Sequence, residues 1–234
     1  MSSVRLRPPA QRGELRDRHE DGHRLHHLLW RLGPGVRVCS SAVLGGGIGP
    51  RAWILNAQVP GGYPRLDPDR HLAEIAAAEG LTGPGAGLMT AADVAAYTTG
   101  HDGGVTATVT AGLGVRGWAA APDTATRAPH RPGTAGIPGS PFRPGTVNIV
   151  VTLPVALSDA ALVNAVATAT EAKVQALLDA GLDCSGTPTD AVCVAAPEPG
   201  HDGGEPFAGP RSAWGARIAR AVHTAVLAGA RTAL

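Results

Sequence analysis

The clearest alternation in the chain runs from Thr146 to Leu153. There Val147, Ile149, Val151 and Leu153 share one side of an extended segment, and Thr146, Asn148 and Thr152 the other. This period of two predicts a strand, which Pro154 stops. The pattern then becomes helical: Ser158 suits an N-cap, Asp159 complements the positive end of a helix dipole, and Gly181 with apolar Leu182 suits the C-terminal stop. Val163, Val166, Thr170, Val174 and Leu177 are the predicted core stripe of this helix, and Asn164, Thr168, Glu171 and Gln175 its polar stripe. A Gly186-Thr187-Pro188-Thr189 turn leads to Asp190 and an apolar run, Ala191 to Ala196, that predicts a second strand.

Elsewhere the patterning is weaker. Residues 1–24 are charged and poor in apolar positions, and are expected to be mobile, with a single domain over 25–234. Residues 26–59 predict two or three short strands separated by Gly/Pro turns, with partial alternation at Val36, Val38, Trp53 and Leu55. A helix is expected from Asp67 to Gly80, capped by Asp67 and begun by Pro68. A shorter helix is expected over Thr90 to Ala96, a strand over Val105 to Leu113, and a last helix near Ser212 to Ala228 burying Trp214, Ile218, Val222 and Val226. Residues 119–144, rich in Pro, Gly and Thr, read as a long surface loop inserted in the domain. These elements sum to an α/β fold: one layered domain in which helices pack on a mixed β-sheet.

Composition narrows the function classes. The apolar share of 44% rests on Ala and Val, with aromatics at 3%. A net charge of +1, with no aromatic-plus-basic interleaving, argues against nucleic acid or an acidic membrane as partner. Cys39, Cys184 and Cys193 lack CxxC spacing and read as small buried hydrophobes of a reducing compartment. Neither an N-terminal apolar leader nor a bilayer-length apolar run is present in the sequence, and a cytoplasmic location is expected.

Several blocks, in order, carry a family resemblance: CSSAVLGGG, NAQV, LMTAADV, TVTAGLG, PGTVNIVV, LSDAALVNAVATATEAKVQALLDAG, TPTDAVCVA and FAGPRSAWGARIARAV. From Val36 to Val226 the chain resembles the adenosylcobinamide amidohydrolase family. The resemblance implies hydrolysis of the amide joining aminopropanol to a propionate arm of the corrin ring, giving adenosylcobyric acid and 1-amino-2-propanol in corrinoid salvage. The implied partner is a small corrinoid that brings its own cobalt, with no protein-bound cofactor or metal; a homo-oligomer is left open. Gly45 departs from the family pattern, where Asn is expected.

An amide hydrolase needs an activated nucleophile or water, a proton donor for the leaving amine and a stabiliser for the oxyanion. Glu171 and Asp190 are the candidate carboxylates, activating water or a serine, and Ser41 the candidate serine. Ser40, Gly45, Gly46, Gly47, Asn56, Asp93, Asn148 and Asn164 are the candidate substrate contacts. Several have a plainer explanation. Ser40, Ser41 and the three glycines also suit a strand end and turn, Glu171 a solvated helix face, and Asp190 ordinary turn chemistry. A GxSxG elbow is missing from the sequence. If the strand–helix–strand unit is parallel, Ser158 and Asp159 lie at the opposite end of the sheet from Asp190; an antiparallel return would bring them together. The ligand rule for parallel sheets favours the Ser158 end. GHDGG, at 100–104 and again at 200–204, invites a paired metal site but suits glycine-rich surface loops better. A corrinoid carrier without turnover, or a hydrolase of another amide, are the alternative functions.

Overall fold

The computed structural model describes residues 12–122 and 145–233. It is an α/β domain with ten strands in two sheets and three helices among the described residues. The first sheet holds β1 (Glu14–Glu20), β2 (His23–Arg31), β5 (Trp53–Gln58) and β6 (Gly85–Thr90), in that order. The second runs β4 (Gly47–Pro50), β3 (Val36–Ser40), β10 (Ala191–Pro197), β9 (Gly145–Thr152), β8 (Val105–Leu113), β7 (Thr98–Asp102). Each sheet has one parallel pair, β5 with β6 and β9 with β10, and the other pairings are antiparallel.

The layers follow from which side chains pack together. Leu28, Trp30, Ile54 and Leu88 of the first sheet pack against Val36, Val38, Val150 and Cys193 of the second. The other face of the first sheet receives α1 (Pro68–Ala78) through Leu72, Ile75 and Ala76. The other face of the second receives α2 (Asp159–Asp179) and α3 (Ala213–Thr232). The order is therefore helix, sheet, sheet, helices. A strand buried on both faces needs no polar side, so Thr106, Thr110, Asn148 and Thr152 are all buried between the layers.

Several expectations are corrected. Glu14–Glu20 is a strand paired along its whole length with β2, not part of a segment without an element; residues 1–11 lie outside the described residues. Charged residues are accommodated in β1 because it is an edge strand. Residues 26–59 contain β2 to β5, one strand more than expected. Thr90 ends β6, and only Val94–Ala96 coils, as a 3-10 turn. Asp67 precedes α1, but its carboxylate is held by Arg65 and makes no cap. Of the 119–144 loop, residues 123–144 lie outside the described residues.

The α2 caps stand: Ser158 Oγ accepts the Ala161 N–H, and Gly181 has φ +79°. Its core stripe stands at Leu177, which is buried, and in part at Val166, which packs half-buried against the core, but not at Val163 or Thr170. Val163 is 55% exposed and Thr170 is exposed, while Ala161, Leu162, Ala165, Ala169, Ala172 and Ala176 face inward. The buried face is made of small residues, which let α2 approach α3 and the sheet closely; weighting by hydrophobicity favoured the valines instead. Thr168, expected on the polar stripe, is buried and donates to the Ala208 carbonyl at 2.7 Å. In α3 Ile218, Val222 and Val226 are buried; Trp214 is half-buried, with the Arg217 guanidinium 4.4 Å over its ring.

Candidate active site

The parallel pairing of β9 and β10 settles the geometry of the strand–helix–strand unit. Ala191 lies beside Asn148, so Asp190 sits at the amino end of the parallel pair and Ser158 and Asp159 at the carboxyl end. The carboxyl end is closed by an Arg37–Asp159 ion pair at 2.7 Å. The amino end carries a polar cluster built around Asp190.

Asp190 is its hub. Its Oδ1 accepts the Val147 N–H at 2.8 Å and the Thr187 hydroxyl at 2.5 Å. Its Oδ2 accepts the Thr187 N–H at 3.1 Å and pairs with the Lys173 ammonium. The Lys173 and Asp190 side chains are only 8% and 12% exposed. Around them Thr146 and Thr189 share a hydroxyl hydrogen bond at 2.5 Å, and Thr189 donates to the Gly145 carbonyl at 3.0 Å. A Cβ at Gly186 would overlap both the Asp190 carboxylate and the Lys173 ammonium, so only glycine lets the backbone pass that close.

Ser40 and Ser41 lie on the neighbouring strand at the same end of the sheet. Ser40 is buried: its Oγ accepts the Ala42 N–H at 2.9 Å and meets the Cys193 sulfur at 2.7 Å. Burial pushes the Cys193 thiol up to about 12, leaving no thiolate near neutrality. Ser41 is exposed, and its Oγ accepts the Val192 N–H at 3.0 Å, extending the ladder beyond β3. The following loop crosses to the first sheet, where Leu44 pairs with Gly87 of β6. Gly45 packs so tightly on Gly85 that a Cβ would strike its carbonyl, and its φ is +65°. Arg51 clamps the Gly45 carbonyl at 2.7 and 3.0 Å and reaches that of Gly46 at 3.3 Å. The departure at Gly45 is thus required by packing.

Asn56 and Asn148 join the two sheets. Asn148 Nδ2 donates to Asn56 Oδ1 at 2.8 Å and to the Met89 carbonyl at 3.1 Å, and Asn56 Nδ2 donates to Thr110 at 3.0 Å. Both are almost wholly buried. Glu171 and Asn164 are not brought into the cluster; both are exposed on α2, Asn164 a turn from its start. Asp93 is exposed and accepts the Ala95 N–H at 3.0 Å, closing the 3-10 turn.

Lys173 and Thr187 escaped the sequence reading. A signal for Lys173 existed: it lies four residues after Ala169 and four before Leu177, a charge within the buried stripe. Read correctly, that stripe would have isolated it.

Other polar groups are accounted for. Arg220 forks onto Asp102 at 2.5 and 3.1 Å, and His101 bonds Thr106, so the first GHDGG docks β7 onto α3 and β8. In the second, Asp202 accepts the Gly204 N–H within a turn. Among the described residues no group of three His, Cys, Asp or Glu is placed to hold a metal ion, and no helix is long and apolar enough to cross a membrane. Beneath α1, His71 lies 2.8 Å from the Tyr63 hydroxyl and 2.7 Å from Glu20, and His27 lies 3.1 Å from Glu79. Burial holds both imidazoles below the usual histidine range, against the pull of these carboxylates.

Comparison with known proteins gives a consistent result. The profile of the family described as adenosylcobinamide amidohydrolase matches residues 12–234. An adenosylcobinamide amidohydrolase of Methanosarcina mazei is 32% identical over 198 residues, covering 81% of this chain and 88% of the relative. A protein of the same name from Halobacterium salinarum is 46% identical over 85 residues, 36% of each chain.

Proposed function

The chain belongs to the adenosylcobinamide amidohydrolase family, a family of amide C–N hydrolases, and we propose that it acts on the aminopropanol amide of adenosylcobinamide. Water adds across the bond: the acyl carbon gains OH to give adenosylcobyric acid, and the nitrogen gains H to give 1-amino-2-propanol. The place of this reaction is the salvage of incomplete corrinoids. The observation that carries the proposal is the family match, which spans every described element of both sheets.

We assign the chemistry to the amino end of β9 and β10. Asp190 is the reacting carboxylate and Lys173 its charge partner. We assign substrate contact to Ser41, bonded to Val192 two residues along from Asp190, and to the Gly45–Gly47 loop that follows it, where exposed Val43 and Ile48 would offer the macrocycle an apolar surface. Ser40, Asn56 and Asn148 support the site from within, since their burial keeps them from the substrate. Glu171 has no part in this assignment. The corrinoid supplies the cobalt.

Incubation of the purified protein with adenosylcobinamide, followed by mass analysis for adenosylcobyric acid and aminopropanol, tests the function. Tight binding without product would identify a carrier, and neither binding nor product would remove the corrinoid from consideration.

A further inference from the structure

Building on the amide hydrolysis proposed above, we infer that the hydroxyl activated by Asp190 is that of Thr187, and that Thr187 is the nucleophile of the reaction. The sequence offered Ser41 for this role, but the structure commits both serines elsewhere. Ser40 is sealed against Cys193, and Ser41 accepts a β10 backbone N–H. The side-chain hydroxyl that donates to Asp190 is Thr187 Oγ1, at 2.5 Å.

Three features make this more than a closed turn. Thr187 is half-buried at the mouth of the turn, whereas the carboxylate behind it is shielded. A third group, the Lys173 ammonium, fixes the carboxylate from the far side, completing the sequence nucleophile, base and orienting partner. The hydroxyl–carboxylate bond is held by two further contacts, the Thr187 N–H on the same carboxylate's Oδ2 and the Val147 N–H on its Oδ1. Gly186 presses this loop against the ion pair, where any side chain would intrude.

The proton and bond changes balance. Asp190 takes the hydroxyl proton as Thr187 Oγ1 bonds to the amide carbon. The C–N bond then breaks and the nitrogen takes that proton from Asp190, releasing 1-amino-2-propanol and leaving an ester on Thr187. Water attacks the ester, giving its proton to Asp190. The Oγ1–C bond breaks, Thr187 recovers the proton, and adenosylcobyric acid leaves. The Lys173 ammonium faces the carboxylate throughout and takes no part in the proton transfers.

The decisive experiment traps the ester. Wild-type protein turning over adenosylcobinamide is quenched in acid, digested, and the Thr187 peptide weighed; a parallel reaction contains hydroxylamine. The expected results are a cobyric acyl adduct on that peptide and a cobyric hydroxamate. Thr187→Ala should lower kcat at least about a thousandfold, and Thr187→Ser should stay within about tenfold of wild type. Thr187→Ala within tenfold of wild type, an adduct on another residue, or neither adduct nor hydroxamate would each overturn the assignment. The trapping uses unaltered protein, so it stands even if the variants fold poorly. Product from wild type and Thr187→Ala alike removes Thr187 alone, whereas no product from wild type removes the proposed function and this inference with it.

Discussion

The described residues contain two parallel strand–helix–strand units that use their ends oppositely. In β5–α1–β6 the polar groups gather near the carboxyl end of β5 and the start of α1, where Tyr63, His71 and Glu20 meet. In β9–α2–β10 they gather at the amino end, where Thr187, Asp190 and Lys173 meet, and the carboxyl end is closed by Arg37 and Asp159. The usual preference for carboxyl ends rests on helix N-termini, whose positive potential favours anions. At the amino end the nearby helix terminus is the negative one, since α2 ends at Asp179 before the chain returns to β10. A carboxylate placed there needs a cation from a side chain, and Lys173 is that cation. The comparison teaches that topology ranks the ends of a sheet only until one buried charge reverses the local field.

The comparison can be broken or sharpened by substitution. Asp190→Asn should have the largest effect, lowering kcat about 10²- to 10⁴-fold by removing the base while keeping its shape; steady-state product formation on folded protein measures it, and full activity would move the chemistry elsewhere. Lys173→Met leaves Asp190 shielded and without its cation, and should destabilise the fold by about 3–5 kcal/mol in urea unfolding. Asn148→Ala removes bonds to Asn56 and Met89 and should cost about 1–3 kcal/mol in the same assay. Asp159→Ala, at the closed end, should change stability by about 1 kcal/mol or less, because its carboxylate is largely exposed. If that variant were as damaging as Lys173→Met, the contrast between the two ends would fail.

The first unit makes a pH prediction. His27 and His71 titrate below the ordinary histidine value in the folded protein, so below that value the unfolded chain binds protons that the native state refuses. Their contribution to stability is fully present above about 6.5 and lost as pH falls through the depressed folded values. Thermal unfolding of the wild type should show this decline, and His71→Phe should flatten part of it.

Much of the β9–α2–β10 unit was legible because its signals are local: alternation, an N-cap serine and a C-terminal glycine. The buried face of α2 was not, because alanine carries little hydrophobic weight and its burial depends on how closely α3 and the sheet approach. The same misreading hid Lys173. Asp190 was legible as a polar residue at a strand mouth, yet its hydroxyl partner depends on the fold of the Gly186–Asp190 turn. The exposed position of Glu171 could not be read before the orientation of α2 was known. Strand β7 was missed because GHDGG looks like a loop; the motif's first three residues pair with β8, and Arg220 of α3 holds Asp102 beside it.

Cys193 sits on β10 between β3 and β9, wholly buried and facing the space between the sheets. Its thiol, pushed up to about 12, is unreactive as long as the layers stay closed. Alkylating reagents should therefore modify half-buried Cys39 first and Cys193 only in molecules whose layers have come apart. Peptide mapping of the Cys193 label over time turns one core side chain into a clock for the breathing of the interior, readable in the unaltered protein and slowed by anything that binds the closed form.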